Sequence, residues 1–201
     1  MGLTAHKSTR IAGATLVLLT VFAMLYLAHS TLKSNLRNPA LMVEVFESPQ
    51  TCIKSYWNTG NGWNESESSS KKTYGTYKFQ PIRMQLPRHF QGLRIDPSET
   101  CDPQEMRLYL GWFKHWTSIR ITPEMATGMH QIQRIEKGDD GRLIFTFEPG
   151  CNDPHFIVSA IPESLQLLEA KRIQLLTTFR FFAGIIAALA TLLALLSFRK
   201  P

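Results

Sequence analysis

No two of the three cysteines in this 201-residue chain form a Cys-x-x-Cys pair, which argues against zinc-knuckle and thioredoxin-type sites. Gly-x-Ser-x-Gly, a Gly-x-x-x-x-Gly-Lys phosphate cradle and His-Glu-x-x-His are also missing, and with them the recognisable signatures of hydrolases, nucleotide triphosphatases and zinc proteases. His89, His115, His130 and His155 are scattered singly, as surface or structural histidines are. No catalytic residue, metal or cofactor is therefore expected. Charge is absent from two long runs, residues 11–28 and 181–198. Each 18-residue run makes roughly 27 Å of helix, close to the hydrocarbon thickness of a bilayer.

The net charge of +6 suggests nucleic acid only until it is located. Residues 31–170 carry 15 Lys or Arg against 16 Asp or Glu, so the middle of the chain is nearly neutral. The other basic residues, Lys7, Arg10, Lys171, Arg172, Arg180, Arg199 and Lys200, flank the apolar runs, where they meet lipid headgroups. The expected partner is a lipid bilayer and not nucleic acid.

Cys52, Cys101 and Cys151 all lie between the runs. Three single pairings are open, as is a fully reduced set. The turn-rich settings Cys101-Asp102-Pro103 and Cys151-Asn152-Asp153-Pro154 favour Cys101 with Cys151. For the first run, a cleaved signal peptide ending near Ala28-His29-Ser30 stays open. Its 18-residue apolar core exceeds the roughly 7–15 residues of a signal peptide and favours a retained helix. Basic residues flank both ends of the runs, so charge alone does not orient the chain. The basic start, the signal-anchor-like first run and the terminal Arg-Lys favour both ends in the cytoplasm.

Between the runs, short segments rich in β-branched and aromatic residues are broken by Gly, Pro, Asn and Asp about every ten residues. Strands are expected at 42–47, 52–57, 74–79, 82–86, 92–95, 106–113, 117–121, 131–136, 142–147 and 156–160. That number of strands in one small domain predicts an all-β, jelly-roll-like sandwich flanked by two transmembrane α-helices. Leu143, Phe145 and Phe147 alternate with Arg142, Ile144, Thr146 and Glu148 after the turn Lys137-Gly138-Asp139-Asp140-Gly141, which predicts a hairpin. Residues 57–70 read as a long exposed loop. After Pro162 the spacing becomes helical, with Leu165, Leu168, Ile173 and Leu176 on one face. In the second run Gly184, Ala188 and Thr191, together with Ala187, Ala190 and Ala194, space small residues for close helix packing. The partner helix would be the first run or another protein.

Aromatic side chains beside polar loops are the better chemical lead. Trp57, Trp63, Trp112 and Trp116 offer flat apolar faces on which the C–H face of a sugar ring stacks. Asn64 and Glu65 beside Trp63 could read hydroxyls; a core role is the alternative, and it fits Trp112 best. Arg94 and Asp96, two apart on one strand, would share a face and pair with each other or with the Glu65 loop, or bind a ligand.

Two stretches carry a resemblance. Tyr56-Trp57-Asn58-Thr59-Gly60-Asn61-Gly62-Trp63-Asn64-Glu65-Ser66-Glu67-Ser68 and Gly92-Leu93-Arg94-Ile95-Asp96-Pro97 resemble an aromatic-x-x-Gly-x-Gly-aromatic-x-Glu loop followed by Leu-Arg-x-Asp-Pro. That pair occurs in exported, carbohydrate-binding-like β-sandwich domains of bacterial polysaccharide-assembly and membrane-glycosyltransferase proteins. The resemblance covers roughly residues 41–122 and matches Gly60, Gly62, Trp63, Glu65, Arg94, Asp96 and Pro97. It implies an extracytoplasmic glycan-contacting module beside a membrane glycosyltransferase. Many such proteins continue into a transferase region that these 201 residues do not include, so a non-catalytic accessory protein is expected.

The expected organisation is a cytoplasmic start over 1–10, a transmembrane helix over 11–30 and a periplasmic β-sandwich over 31–162. An amphipathic lead-in helix over 163–180, a second span over 181–198 and a cytoplasmic tail over 199–201 follow. The expected location is the bacterial inner membrane. The rival expectation is a structural subunit or assembly factor of a multi-helix membrane complex with no sugar ligand.

Overall fold

A computed structural model describes residues 2–46, 50–73, 80–112 and 117–199. The chain divides into two compact units: the segments 1–36 and 172–201 form one, and Arg37–Lys171 forms the other. The strand expected over 74–79, the ends of two others at Glu47 and Phe113, and the ring of Trp116 lie outside the described residues.

Two helices dominate the first unit. Helix α1 runs over Gly2–Asn35, and helix α2 runs unbroken over Ile161–Arg199, of which the part from Arg172 onward belongs here. Each contains a stretch long and apolar enough to cross a membrane, Ala12–Asn35 and Ile161–Leu196. The helices are antiparallel: Arg180 Nε donates to His29 Nε2 at 3.3 Å, and Arg172 Nε donates to the Leu36 carbonyl at 3.0 Å. His29 also packs its ring 5.9 Å from that of Phe179. Partly covered side chains recur on α1 at Ala14, Leu18, Val21 and Leu25, and on α2 at Ala183, Ala187, Ala190 and Ala194. The spacing of three and four residues marks one stripe along each helix. Gly184, Ala188 and Thr191 stand exposed, with nothing within 4 Å of where a Gly184 Cβ would be. Of the small residues expected to pack, these three are not the ones covered within this unit.

The second unit consists of two antiparallel sheets. Its strands are β1 (Ala40–Phe46), β2 (Cys52–Asn58), β3 (Ser68–Lys72), β4 (Gln80–Gln85), β5 (Gly92–Asp96) and β6 (Gln104–Gly111). They continue with β7 (Ser118–Ile121), β8 (Ala126–His130), β9 (Ile132–Lys137), β10 (Leu143–Phe147) and β11 (His155–Val158). The first sheet has the order β4-β1-β6-β10-β9, with β7 also paired to β6; the second has the order β3-β2-β5-β11-β8. Alternation aims Leu41, Val43, Met84, Leu108, Leu143 and Phe145 inward from the first sheet, all fully buried or nearly so. Ile53, Leu93, Ile95, Phe156 and Val158 answer from the second. Phe145 and Phe156 meet across the gap with ring centroids 5.7 Å apart, and Ser55 Oγ reaches Met84 Sδ at 3.7 Å. These contacts make the pair of sheets a sandwich with one core.

The hairpin expected around Gly138–Gly141 is present, with Leu143 opposite Lys137 and Phe145 opposite Ile135. Two strands depart from the expectation. The polar stretch Ser68–Lys72 pairs along β2, so the loop expected to run to residue 70 ends sooner; β8 is an almost wholly exposed strand on β11. Both are edge strands whose ladder hydrogen bonds substitute for a buried face, so neither carries apolar alternation. Helix α2 enters this unit with Ile161 and Leu168 buried and Lys171 Nζ donating to the Ser118 carbonyl at 3.2 Å. Ile173, placed by its spacing on the same apolar face, is instead 55% exposed.

Candidate functional site

Strand alternation sorts the candidate residues before any side-chain contact is considered. Along β2 and β5 the register pairs Lys54 with Asp96, Tyr56 with Arg94 and Asn58 with Gly92. These six share one face of the second sheet, opposite the face that carries Ile53, Ser55, Leu93 and Ile95 into the core. Trp57 pairs with Leu93 and so belongs to the core-side set, half-buried. Trp63 lies on the outer face, its ring against Gly92. A Cβ at Gly92 would approach Trp63 Cη2 to 2.9 Å, so glycine here makes room for the indole. The structure thus separates the two tryptophans named together in the sequence.

The loop that carries Trp63 is tied by its own side chains. Asn58 Oδ1 accepts from the Gly60 and Gly62 amides at 2.7 and 3.1 Å, with both glycines at positive φ, 124° and 82°. Asn64 caps a short 3-10 turn, Glu65–Glu67, by accepting from the Glu67 amide at 3.1 Å, and it also takes the Ser66 hydroxyl. Glu67 reaches back to the Thr59 amide at 3.1 Å and to the Thr59 hydroxyl. Asn64 is therefore occupied with shaping the loop. Trp63, 36% exposed, is left at its crest, where a ring can be approached from solvent.

Next to this loop lies a compact charged cluster. Arg94 grips Asp96 in a two-pronged pair, Nε to Oδ1 at 2.8 Å and Nη2 to Oδ2 at 2.9 Å, and Nη2 also reaches Asp153 Oδ1 at 2.7 Å. The Arg94 guanidinium lies 4.9 Å from the centre of the Tyr56 ring, and the Tyr56 hydroxyl donates to Glu65 Oε1 at 2.9 Å. Burial and then the bond to Glu65 push the Tyr56 phenol up to about 12, so it acts as a donor throughout the physiological range. Burial also pushes the Asp96 carboxyl above its ordinary value, outweighing the opposing pull of Arg94. Lys54 and Glu99 complete the row with a pair at 3.1 Å.

Arg94, Asp96, Glu65, Asn64 and Trp63 therefore gather on one face, while Trp57 does not join them. Of the two pairings expected for Arg94, Asp96 takes it directly, whereas Glu65 is reached only through Tyr56. Asp153 and the mutually tilted imidazoles of His130 and His155, centroids 4.9 Å apart, complete the site, and sequence reasoning missed them. His130 arrives on β8, Asp153 on the β10–β11 turn and His155 at the start of β11, all more than 30 residues away in sequence. The Cys101–Cys151 disulfide holds that turn, with Cα atoms 6.0 Å apart, and Gln131 Oε1 accepts the Asn152 and Asp153 amides at 2.8 and 2.9 Å. Cys52 is free and buried. Trp112, 3% exposed, lines a separate cleft of about 230 Å³ with Pro39, Arg88, His89, Leu168 and Glu169, apart from the face just described. Among the described residues no group of three His, Cys, Asp or Glu side chains is placed to hold a metal ion.

Compared with known proteins, the chain matches no family model, no curated protein and no solved structure.

Proposed function

We propose that this chain is a non-catalytic, membrane-anchored accessory protein that presents an extracytoplasmic, carbohydrate-binding-like β-sandwich to a glycan or to glycan-assembly machinery such as a membrane glycosyltransferase. The observation that carries the reading is the outer face of the second sheet. Trp63 crests a loop braced by its own hydrogen bonds, beside Glu65, Tyr56, Arg94 and Asp153. An exposed indole ringed by fixed acceptors and donors suits a sugar, which offers an apolar C–H face and hydroxyls at its edge. The sandwich is of jelly-roll type in this reading, since the chain passes between the two sheets repeatedly, at β1 to β2, β3 to β4, β4 to β5 and β5 to β6.

The location proposed for the sandwich is the periplasmic side of a bacterial inner membrane, with both chain ends in the cytoplasm. Two membrane-length helices and the Cys101–Cys151 disulfide support it, because disulfides persist in oxidising compartments. The test is glycan-array binding by the full-length protein in nanodiscs, parent against Trp63→Ala. Binding that is lost in the variant at unchanged melting temperature supports the proposal. A folded parent that binds no glycan and retains no glycosyltransferase on purification refutes it.

A second reading is favoured by one observation, the exposed stripe of Gly184, Ala188 and Thr191 on α2. In that reading the chain is a structural subunit or assembly factor of a multi-helix membrane complex, with the stripe as its contact. Gly184→Leu would then break co-purification with the complex, while Trp63→Ala would leave it intact.

A further inference from the structure

We infer that the ligand of the Trp63 face is a glycan bearing free amines, and that chains carrying uronate, phosphate or sulfate are excluded. The inference rests on the glycan reading above and adds the chemical class of the sugar. It follows from how charge is committed around the ring. Arg94 is shared between two carboxylates, Asp96 and Asp153, and Lys54 is matched by Glu99. Glu65 and Glu67 stand beside the indole with no cation opposite them in any ion pair among the described residues. Five carboxylates thus stand along this row with two permanent cations, and the imidazoles of His155, 3.4 Å from Asp153 Oδ2, and His130 lie at its Asp153 end. Both cations are engaged, so neither is left to receive an anionic ligand.

Spare acceptor capacity points the same way. Glu65 uses one carboxylate oxygen for the Tyr56 hydroxyl and is itself exposed, while Asp153 is 53% exposed at its side chain, with His155 Nδ1 3.4 Å from Oδ2. Those two carboxylates meet solvent at either end of the Tyr56–Arg94 contact, where an ammonium group on a ring stacked against Trp63 would find them. Among the described residues the remaining lysine on this face of the second sheet, Lys72, is in register with Cys52. That position is six residues, or about 20 Å along β2, from Asn58 and the Trp63 end. Lys71 has the opposite strand parity. A uronate at Trp63 would be placed beside Glu65 and Glu67, which have no cation paired with them among the described residues, whereas an amino sugar would complete the balance.

The experiment is a binding titration of the full-length protein in nanodiscs of uncharged lipid with three oligosaccharides of equal length. The probes are a fully deacetylated glucosamine oligomer in mildly acidic buffer, its N-acetylated counterpart and a galacturonate oligomer. Two half-exposed ammonium–carboxylate pairs predict about fivefold to tenfold tighter binding of the amine form at low salt, with the advantage lost at high salt. The double variant Glu65→Gln with Asp153→Asn should abolish the advantage of the amine form over the N-acetylated form, the ratio of the two affinities being the quantity read. Equal or tighter binding of the galacturonate, or an amine preference that survives the double variant, overturns this inference while leaving the glycan reading in place. Failure of a folded protein to bind any of the three, or any glycan on an array, overturns that reading and this inference with it.

Discussion

Arg94→Met is the perturbation that tests the charged cluster most directly. Methionine keeps much of the apolar stem and removes the guanidinium, leaving Asp96, whose side chain is 9% exposed, without the one basic side chain hydrogen-bonded to it among the described residues. Breaking one half of a buried ion pair costs about 3–5 kcal/mol, since a charge is left in a poorly solvated place. The Arg94 side chain is 17% exposed and Asp153 is 53% exposed, so solvent shares the load and the expected loss is near the lower end, about 3 kcal/mol. For a unit the size of Arg37–Lys171 this lowers the melting temperature by roughly 10 °C. The assay is thermal unfolding of the detergent-solubilised full chain at pH 7, followed by near-ultraviolet circular dichroism.

The pH dependence supplies a second and sharper readout. Asp96 already has a folded-state affinity for protons above its unfolded value, because burial outweighs Arg94. A carboxyl raised on folding contributes stability that is full below its unfolded value, about 3.9, and is lost as pH rises through the folded value. Without Arg94 the folded value climbs further, so the deficit of Arg94→Met should be largest at pH 7 and shrink as pH falls toward about 5. A variant that melts within about 2 °C of the parent at pH 7 would refute the reasoning, as would a deficit that stays constant between the two pH values.

Three further outcomes are expected. Replacing both Cys101 and Cys151 by serine reopens a loop of 50 residues, for which chain entropy gives a loss of about 4 kcal/mol, measured as a lower melting temperature that reducing agent reproduces in the parent. Phe145→Ala, at a fully buried ring that touches Phe156 across the sandwich, should cost about 3–5 kcal/mol by the same measurement, and an effect below 1 kcal/mol would contradict the assigned core. Gly92→Ala should displace the exposed Trp63 ring and shift its fluorescence at less than about 1 kcal/mol of stability, whereas an unchanged spectrum against a Trp63→Phe reference would contradict the ring's placement.

What the sequence determined by itself was whatever depends on local pattern. Two charge-free runs predict membrane-length helices because every backbone polar group in a bilayer must be satisfied within the segment, and α1 and α2 contain them. The alternation of Leu143, Phe145 and Phe147 with polar neighbours predicts a hairpin, because a strand with one dry face has a period of two. Arg94 and Asp96 share a face for the same reason. The edge strands β3 and β8 were illegible because hydrogen bonding to a neighbour, and not burial, holds them. Tertiary structure alone decided that Trp57 points toward the core while Trp63 stays outside, since one residue of register reverses a face. It also decided that Asp153, 59 residues from Arg94, shares its charge. Such a meeting depends on which strands of the second sheet become neighbours, and no local spacing encodes that.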